Sequence, residues 1–103
     1  SPLAGTSQGT PPSIPAIFKG TVKIESRSAA IGSRVYAKVS KAGSDDLWFS
    51  TTVEKTGEYL LAMSISKSGY TNANVQFWAD KYPSATTSIF VAARTSTINI
   101  EVP

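Results

Sequence analysis

The sequence predicts an all-β fold, a seven-stranded antiparallel β-sandwich forming a single domain. Three observations carry this expectation. Apolar and polar residues alternate over short runs, the period of strands with one buried face. Clusters of Gly, Asn, Asp, Ser and Pro interrupt these runs at fairly regular intervals, as turns do. No stretch repeats apolar residues at helical spacing. At 103 residues, the chain can bury roughly two-thirds of its unfolded surface without a disulfide or metal.

Residues 1–16 (SPLAGTSQGTPPSIPA) come first, and Pro11, Pro12 and Pro15 favour an extended path over a helix. This composition cannot build a core of its own. The segment is expected to be an extended tail that docks on a neighbouring molecule, with backbone pairing in its first ten residues or across residues 14–17. The chain begins without a signal peptide or initiator methionine, so it is read as a processed mature protein or a piece of a longer one.

The sandwich is expected over residues 17–103. In residues 17–24, Phe18, Val22 and Ile24 share a face with Gly20, opposite Lys19, Thr21 and Lys23. A polar break and a turn at Gly32 precede residues 33–40, where Val35, Ala37 and Val39 alternate with Tyr36 and Lys38. Turn residues 41–46 lead to residues 47–53, whose Trp48, Phe49 and Ser50-Thr51-Thr52 suit a strand with either face inward. The clearest buried face follows Gly57: Tyr59, Leu61, Met63 and Ile65. Leu60 points the other way, which predicts that this strand is central or partly covered.

A loop at 66–72 leads to Val75, Phe77 and Ala79, set against Gln76 and Trp78. Pro83 is expected to break the chain over residues 80–84, before a strand at 86–92 with Ile89 and Val91 opposed to Phe90. The last strand, 97–102, turns Ile98, Ile100 and Val102 inward and Asn99 and Glu101 outward.

Composition narrows the chemistry. The chain has no Cys and no His, which removes thiol nucleophiles, imidazole bases and Cys/His zinc sites. None of Asp45, Asp46, Glu54, Glu58, Asp80 and Glu101 is marked as a facing catalytic pair. Asp45-Asp46, with Asp80 at a distance, falls short of the six or more oxygens that calcium takes. The chain is therefore not read as an enzyme, and no metal or cofactor is expected. A net charge of +3 comes from ten dispersed cations with acids between several of them, not the basic stripe of a nucleic-acid binder. No apolar run approaches the length of a membrane helix, so no membrane insertion is expected. Ser and Thr make up about a quarter of the residues and charges are sparse, which leans toward an extracellular or cell-surface protein.

Four segments together carry a family resemblance: Phe18-Lys19-Gly20-Thr21-Val22, Ala30-Ile31-Gly32-Ser33-Arg34-Val35-Tyr36-Ala37, Thr56-Gly57-Glu58-Tyr59-Leu60-Leu61 and Val75-Gln76-Phe77. Over about residues 17–102 the chain resembles the small transthyretin-like, carboxypeptidase-regulatory-like β-sandwiches of prokaryotic surface and secreted proteins. The resemblance implies an immunoglobulin-like sandwich and a structural or adhesive role. Related surface domains of the collagen-adhesin B type form a Lys–Asn isopeptide bond beside a buried acid. Here alternation turns Lys19, Lys23 and Asn99 away from the core, and Met63 stands where the acid is expected, so that bond is not expected.

Five aromatics fall outside the inferred core: Tyr36, Trp48, Tyr70, Trp78 and Tyr82. Such rings anchor protein interfaces, stack on sugars, or close the ends of a sandwich. Two functions follow. One is a non-catalytic structural or interaction module, such as a filament or surface-layer subunit, that associates with itself or with other surface proteins through its tail or a sheet edge. The other is a polysaccharide-binding accessory module of a secreted hydrolase, which would present coplanar rings along one face.

Overall fold

The computed structural model describes residues 14–65 and 69–103, which form nine strands in two sheets and no helix. The strands are β1 (Ala16–Ile24), β2 (Arg27–Ser28), β3 (Arg34–Ser40), β4 (Leu47–Thr52), β5 (Glu58–Met63), β6 (Asn74–Ala79), β7 (Tyr82–Ile89), β8 (Thr95–Thr97) and β9 (Ile100–Val102). The expectation of seven strands is corrected to nine among the described residues. A two-residue strand, β2, folds back on β1, and the expected last strand is interrupted at Ile98-Asn99.

β1 is the middle of the first sheet. On one side it pairs antiparallel with β5, Ala16 opposite Met63 through Thr21 opposite Glu58. On the other it pairs parallel with β8 and then with β9. Thr97 lies opposite Lys19 and Ile100 opposite Val22, so the register continues unchanged across the interruption. β2 joins β1 through Glu25 and Ser26, whose φ angles of 54° and 65° make the mirror-image turn that fits strand twist. Val22 is the hinge of this end: its N–H donates to the Gly57 carbonyl (2.9 Å), and its carbonyl accepts from the Ala29 N–H (2.9 Å).

The second sheet runs β4-β3-β6-β7, all antiparallel. The inward residues of both sheets form one core. Phe18 from β1 meets Phe77 from β6 edge to face, ring centroids 5.5 Å apart. Val22, Val35, Ala37, Val39, Met63, Val75 and Ile100 surround them, all buried. The alternations read for β1, β3, β5 and β6 thus face the core as expected, and the ambiguous β4 turns Leu47 and Phe49 inward.

Three positions differ from expectation. Among the described residues β5 is an outer strand of its sheet, its one partner strand being β1, and Leu60 on its far face is 58 % exposed beside Lys19 in register. An apolar residue on the second face had implied a covered strand, but one exposed Leu fits an ordinary surface. β7 begins at Tyr82, runs through Pro83 and ends at Ile89, four residues before the expected start at 86 and short of residue 92. Proline is tolerated there because β7 is an outer strand, and the extra length is absorbed where the register shifts between Gln76 and Trp78. The N-terminal expectation falls mostly on residues 1–13, outside the described residues. Within them, Ala16 and Ile17 are paired inside the chain's own sheet, Ile17 on both sides, so they are not free to pair with a neighbour.

Gly20 and Tyr59 fix the middle of the first sheet. They are register partners across β1 and β5. The Tyr59 hydroxyl reaches past Gly20 and donates to the Ile98 carbonyl on the far side of β1 (2.7 Å). Gly20 has φ +152°, and a Cβ placed on it would overlap that same Ile98 carbonyl oxygen. Gly20→Ala is therefore expected to cost about 3 kcal/mol or more, since it combines backbone strain with a clash against main chain. Urea denaturation of the variant is the check.

Burial pushes the Tyr59 hydroxyl well above the ordinary tyrosine value of 10.0. The unfolded chain then releases this proton at a lower pH than the folded one, so the contribution is intact below about pH 10 and is lost as pH rises above it. Tyr59→Phe should cost about 1 kcal/mol at neutral pH, the value of one hydrogen bond. The stability gap between wild type and variant should shrink above about pH 10, read by denaturation midpoints across an alkaline series.

Candidate functional site: the aromatic face and open edge of the second sheet

The outward residues of β3, β4 and β6 share one solvent-facing surface. Tyr36 lies opposite Trp78, and Lys38 lies between Trp48 and Gln76. Alternation therefore gathers Tyr36, Trp48 and Trp78, three of the five aromatics read from the sequence, on one face. Trp48 and Trp78 meet over β3 with ring centroids 5.0 Å apart and planes at 45°. The Lys38 ammonium sits 5.8 Å from one ring and 5.6 Å from the other. Trp48 is the more open of the pair, 57 % exposed, since among the described residues no strand lies beyond β4.

At the lower end of this face, the Arg34 side chain donates to the Ser50 hydroxyl (3.0 Å), with its guanidinium carbon 5.8 Å from the centre of the Tyr36 ring. The Arg34 N–H donates to the Asp80 carboxylate (3.0 Å), and the Asp80 N–H donates to the Arg34 carbonyl (2.7 Å). Asp80 thus closes the β6–β7 turn with φ 51°. A shallow groove of about 430 Å³ lies between Tyr36, Trp48, Trp78 and Asp80. Tyr82 borders a neighbouring groove with Tyr36, beneath the Lys81 ammonium at 5.6 Å.

Tyr70 does not belong to this surface. It is buried to 4 % exposure, and its hydroxyl donates to the Asp45 carbonyl (2.6 Å). Lys41 donates to the Thr71 carbonyl (2.9 Å) alongside, so these contacts tie two loops across one end of the sandwich. The expectation that Tyr70 lies outside the core is corrected. Alternation is no guide for a loop residue, whose direction the turn geometry sets. Among the described residues, no three acids come together as a metal site would require. The Asn99 side-chain oxygen accepts from the Thr21 N–H (3.2 Å), outside the core.

The two sides of the sandwich differ. On the β7/β9 side, β7 carries Pro83 and an irregular register, and its neighbouring strand is broken at Ile98-Asn99. On the β4/β5 side both strands are regular. β4, with the sequence LWFSTT, has no charge, Pro or Gly, and pairs with β3 without a shift. β5 pairs with β1 without a shift and carries the exposed Leu60. A groove of about 890 Å³ runs from Thr97 and Asn99 past Lys19 and Leu60 to Thr52 of β4, so it crosses the first sheet and reaches this side at one end. Sequence reading missed this asymmetry because strand order, which decides what is an edge, is not written in any single strand. The one legible signal was the lack of charge in residues 47–52.

Comparison with protein-family models, with curated proteins and with solved structures finds no match for this chain. The geometry alone separates the roles of the aromatics. Trp48→Ala should change stability by less than about 1 kcal/mol, since its ring is mostly in water. Tyr70→Phe should cost about 1 to 3 kcal/mol by leaving the Asp45 carbonyl without its donor. Thermal or urea unfolding of the two variants side by side tests that order.

Proposed function

We propose that this chain is a non-catalytic structural and interaction module of an extracellular or cell-surface assembly, docking through the open β4/β5 side and the aromatic face beside it. The single observation that carries the reading is the contrast between the two sides of the sandwich. Soluble sheets ordinarily blunt their edges with charge, proline or bulges, and β7 follows that rule while β4 does not. An unblunted edge flanked by Trp48, Trp78 and Tyr36 combines main chain that no strand among the described residues pairs with and the residue types that dominate interface energies. The finer fold assignment, transthyretin-like and immunoglobulin-like, is part of the same proposal and rests on the glycine, tyrosine and alternation pattern of residues 17–102. The absence of Cys and His from the whole sequence supports the non-catalytic part.

The polysaccharide reading finds less support in the ring geometry. Trp48 and Trp78 lie 5.0 Å apart and tilted at 45°, packed on each other rather than spread as a flat platform. Affinity electrophoresis through gels containing neutral or acidic polysaccharides distinguishes the two. Migration unretarded by either polymer, with Trp48→Ala and Trp78→Ala migrating like wild type, is the outcome expected for the assembly module. Retardation of the wild type that is lost in either tryptophan variant would overturn it in favour of glycan binding.

A further inference from the structure

The β4 edge has a geometry that selects its partner. The Arg34 N–H and carbonyl both bond to Asp80, on the β6 side of β3. Successive residues of a strand alternate the direction of their main-chain groups, so Val35, Ala37 and Val39 direct theirs toward β4. Their register partners are Thr51, Phe49 and Leu47, which therefore spend their groups on β3. The Val53 N–H, donating to the Ser33 carbonyl (2.8 Å), fits the same parity. Trp48, Ser50 and Thr52 are left with main-chain groups directed outward, and among the described residues no segment pairs with them.

We infer that this edge receives the β4 strand of a second copy of the chain, antiparallel, with Ser50 opposite Ser50. The inference rests on the assembly reading above and names its partner and register. Three outward residues spaced evenly about Ser50 are their own complement: an antiparallel copy centred there matches Ser50 with itself and Trp48 with Thr52 at each end. Every outward group of the strand is then used, six hydrogen bonds in all by this count. Shifting the centre to Phe49 would leave Thr52 needing Asp46, which lies before the strand. The six residues carry no charge, so self-pairing opposes no like charges within the ladder. Asp46 and Glu54 flank the strand, and a longer ladder would bring these carboxylates together, which ends the pairing where β4 ends. Alternation is kept across the seam, so Trp48 of each copy lies over Thr52 of the other and the two aromatic faces become one surface. Such an interface is smaller than a standard one, and a weak dimer populated at about 100 μM is expected.

The test uses the chain's lack of cysteine. Ser50→Cys introduces a single thiol, and the inferred register places the two copies' positions about 5.5 Å apart between Cα atoms, within disulfide reach. Thr52→Cys lies on the same face, but its two copies would stand about 14 Å apart. Mild oxidation should link Ser50→Cys into a covalent dimer at least tenfold faster than Thr52→Cys. Sedimentation of the unmodified chain should show a dimer at about 100 μM that Ser50→Pro abolishes while the fold still melts cooperatively with only a small drop in melting temperature, because that proline removes an outward donor and one exposed contact from Arg34. Equal linking at both positions, or a monomer at every concentration, would overturn the inference. Dimerisation only after deletion of residues 1–13 would also overturn it, by making the chain's own segment the occupant. These outcomes leave the polysaccharide gels free to decide the broader reading separately.

Discussion

The structure depends on the two-sided pairing of β1, and on the point where that pairing is tightest. At Gly20 the strand has Tyr59 as its partner on one side and the Ile98 carbonyl close on the other. A side chain at this position would close the gap through which the Tyr59 hydroxyl reaches Ile98. One hydrogen bond thereby links β5 to the break between β8 and β9, without passing through β1 itself. Buried polar groups are costly unless paired, so the tyrosine and the interrupted strand specify each other's place.

The consequence is a sandwich with unequal sides. The interruption at Ile98-Asn99 is tied back to β1 by two bonds: the Ile98 N–H donates to the Lys19 carbonyl (2.8 Å), and the Asn99 side-chain oxygen accepts from the Thr21 N–H. With Pro83 and the β7 irregularity, that side offers little regular main chain to a newcomer. The opposite side has no such device among the described residues. β4 keeps a plain register with β3 and presents a tryptophan where edge strands ordinarily carry lysine.

The aromatic face owes its form to β3. Lys38 and Tyr36 separate the strands that hold Trp48 and Trp78, and the two indoles lean over β3 to meet. Lys38 covers both rings, lowering the apolar area offered to water without filling the surface. The patch stays accessible at Trp48. A partner that extends the sheet beyond β4 would bury that ring without disturbing the packing beneath it, since Phe49 and Leu47 already face the core.

The sequence by itself determined the layers. The alternation of Phe18 and Val22, of Val35, Ala37 and Val39, of Tyr59, Leu61 and Met63, and of Val75 and Phe77 identified the buried faces, because a period of two leaves a strand only one way to hide its apolar set. It also placed Tyr36 and Trp78 outside the core, since the same period turns them outward, whereas residues 47–53 allowed either face inward and only the packing of Leu47 and Phe49 turned Trp48 out. Only the tertiary structure decided that β1 and not the Tyr59 strand is the middle of its sheet, that Tyr70 is buried and bonded to a distant loop, and that β4 is the last strand of its sheet among the described residues. Each of these is a relation between segments far apart in the chain. Alternation says which face of a strand is covered; it carries no information about which strand lies alongside.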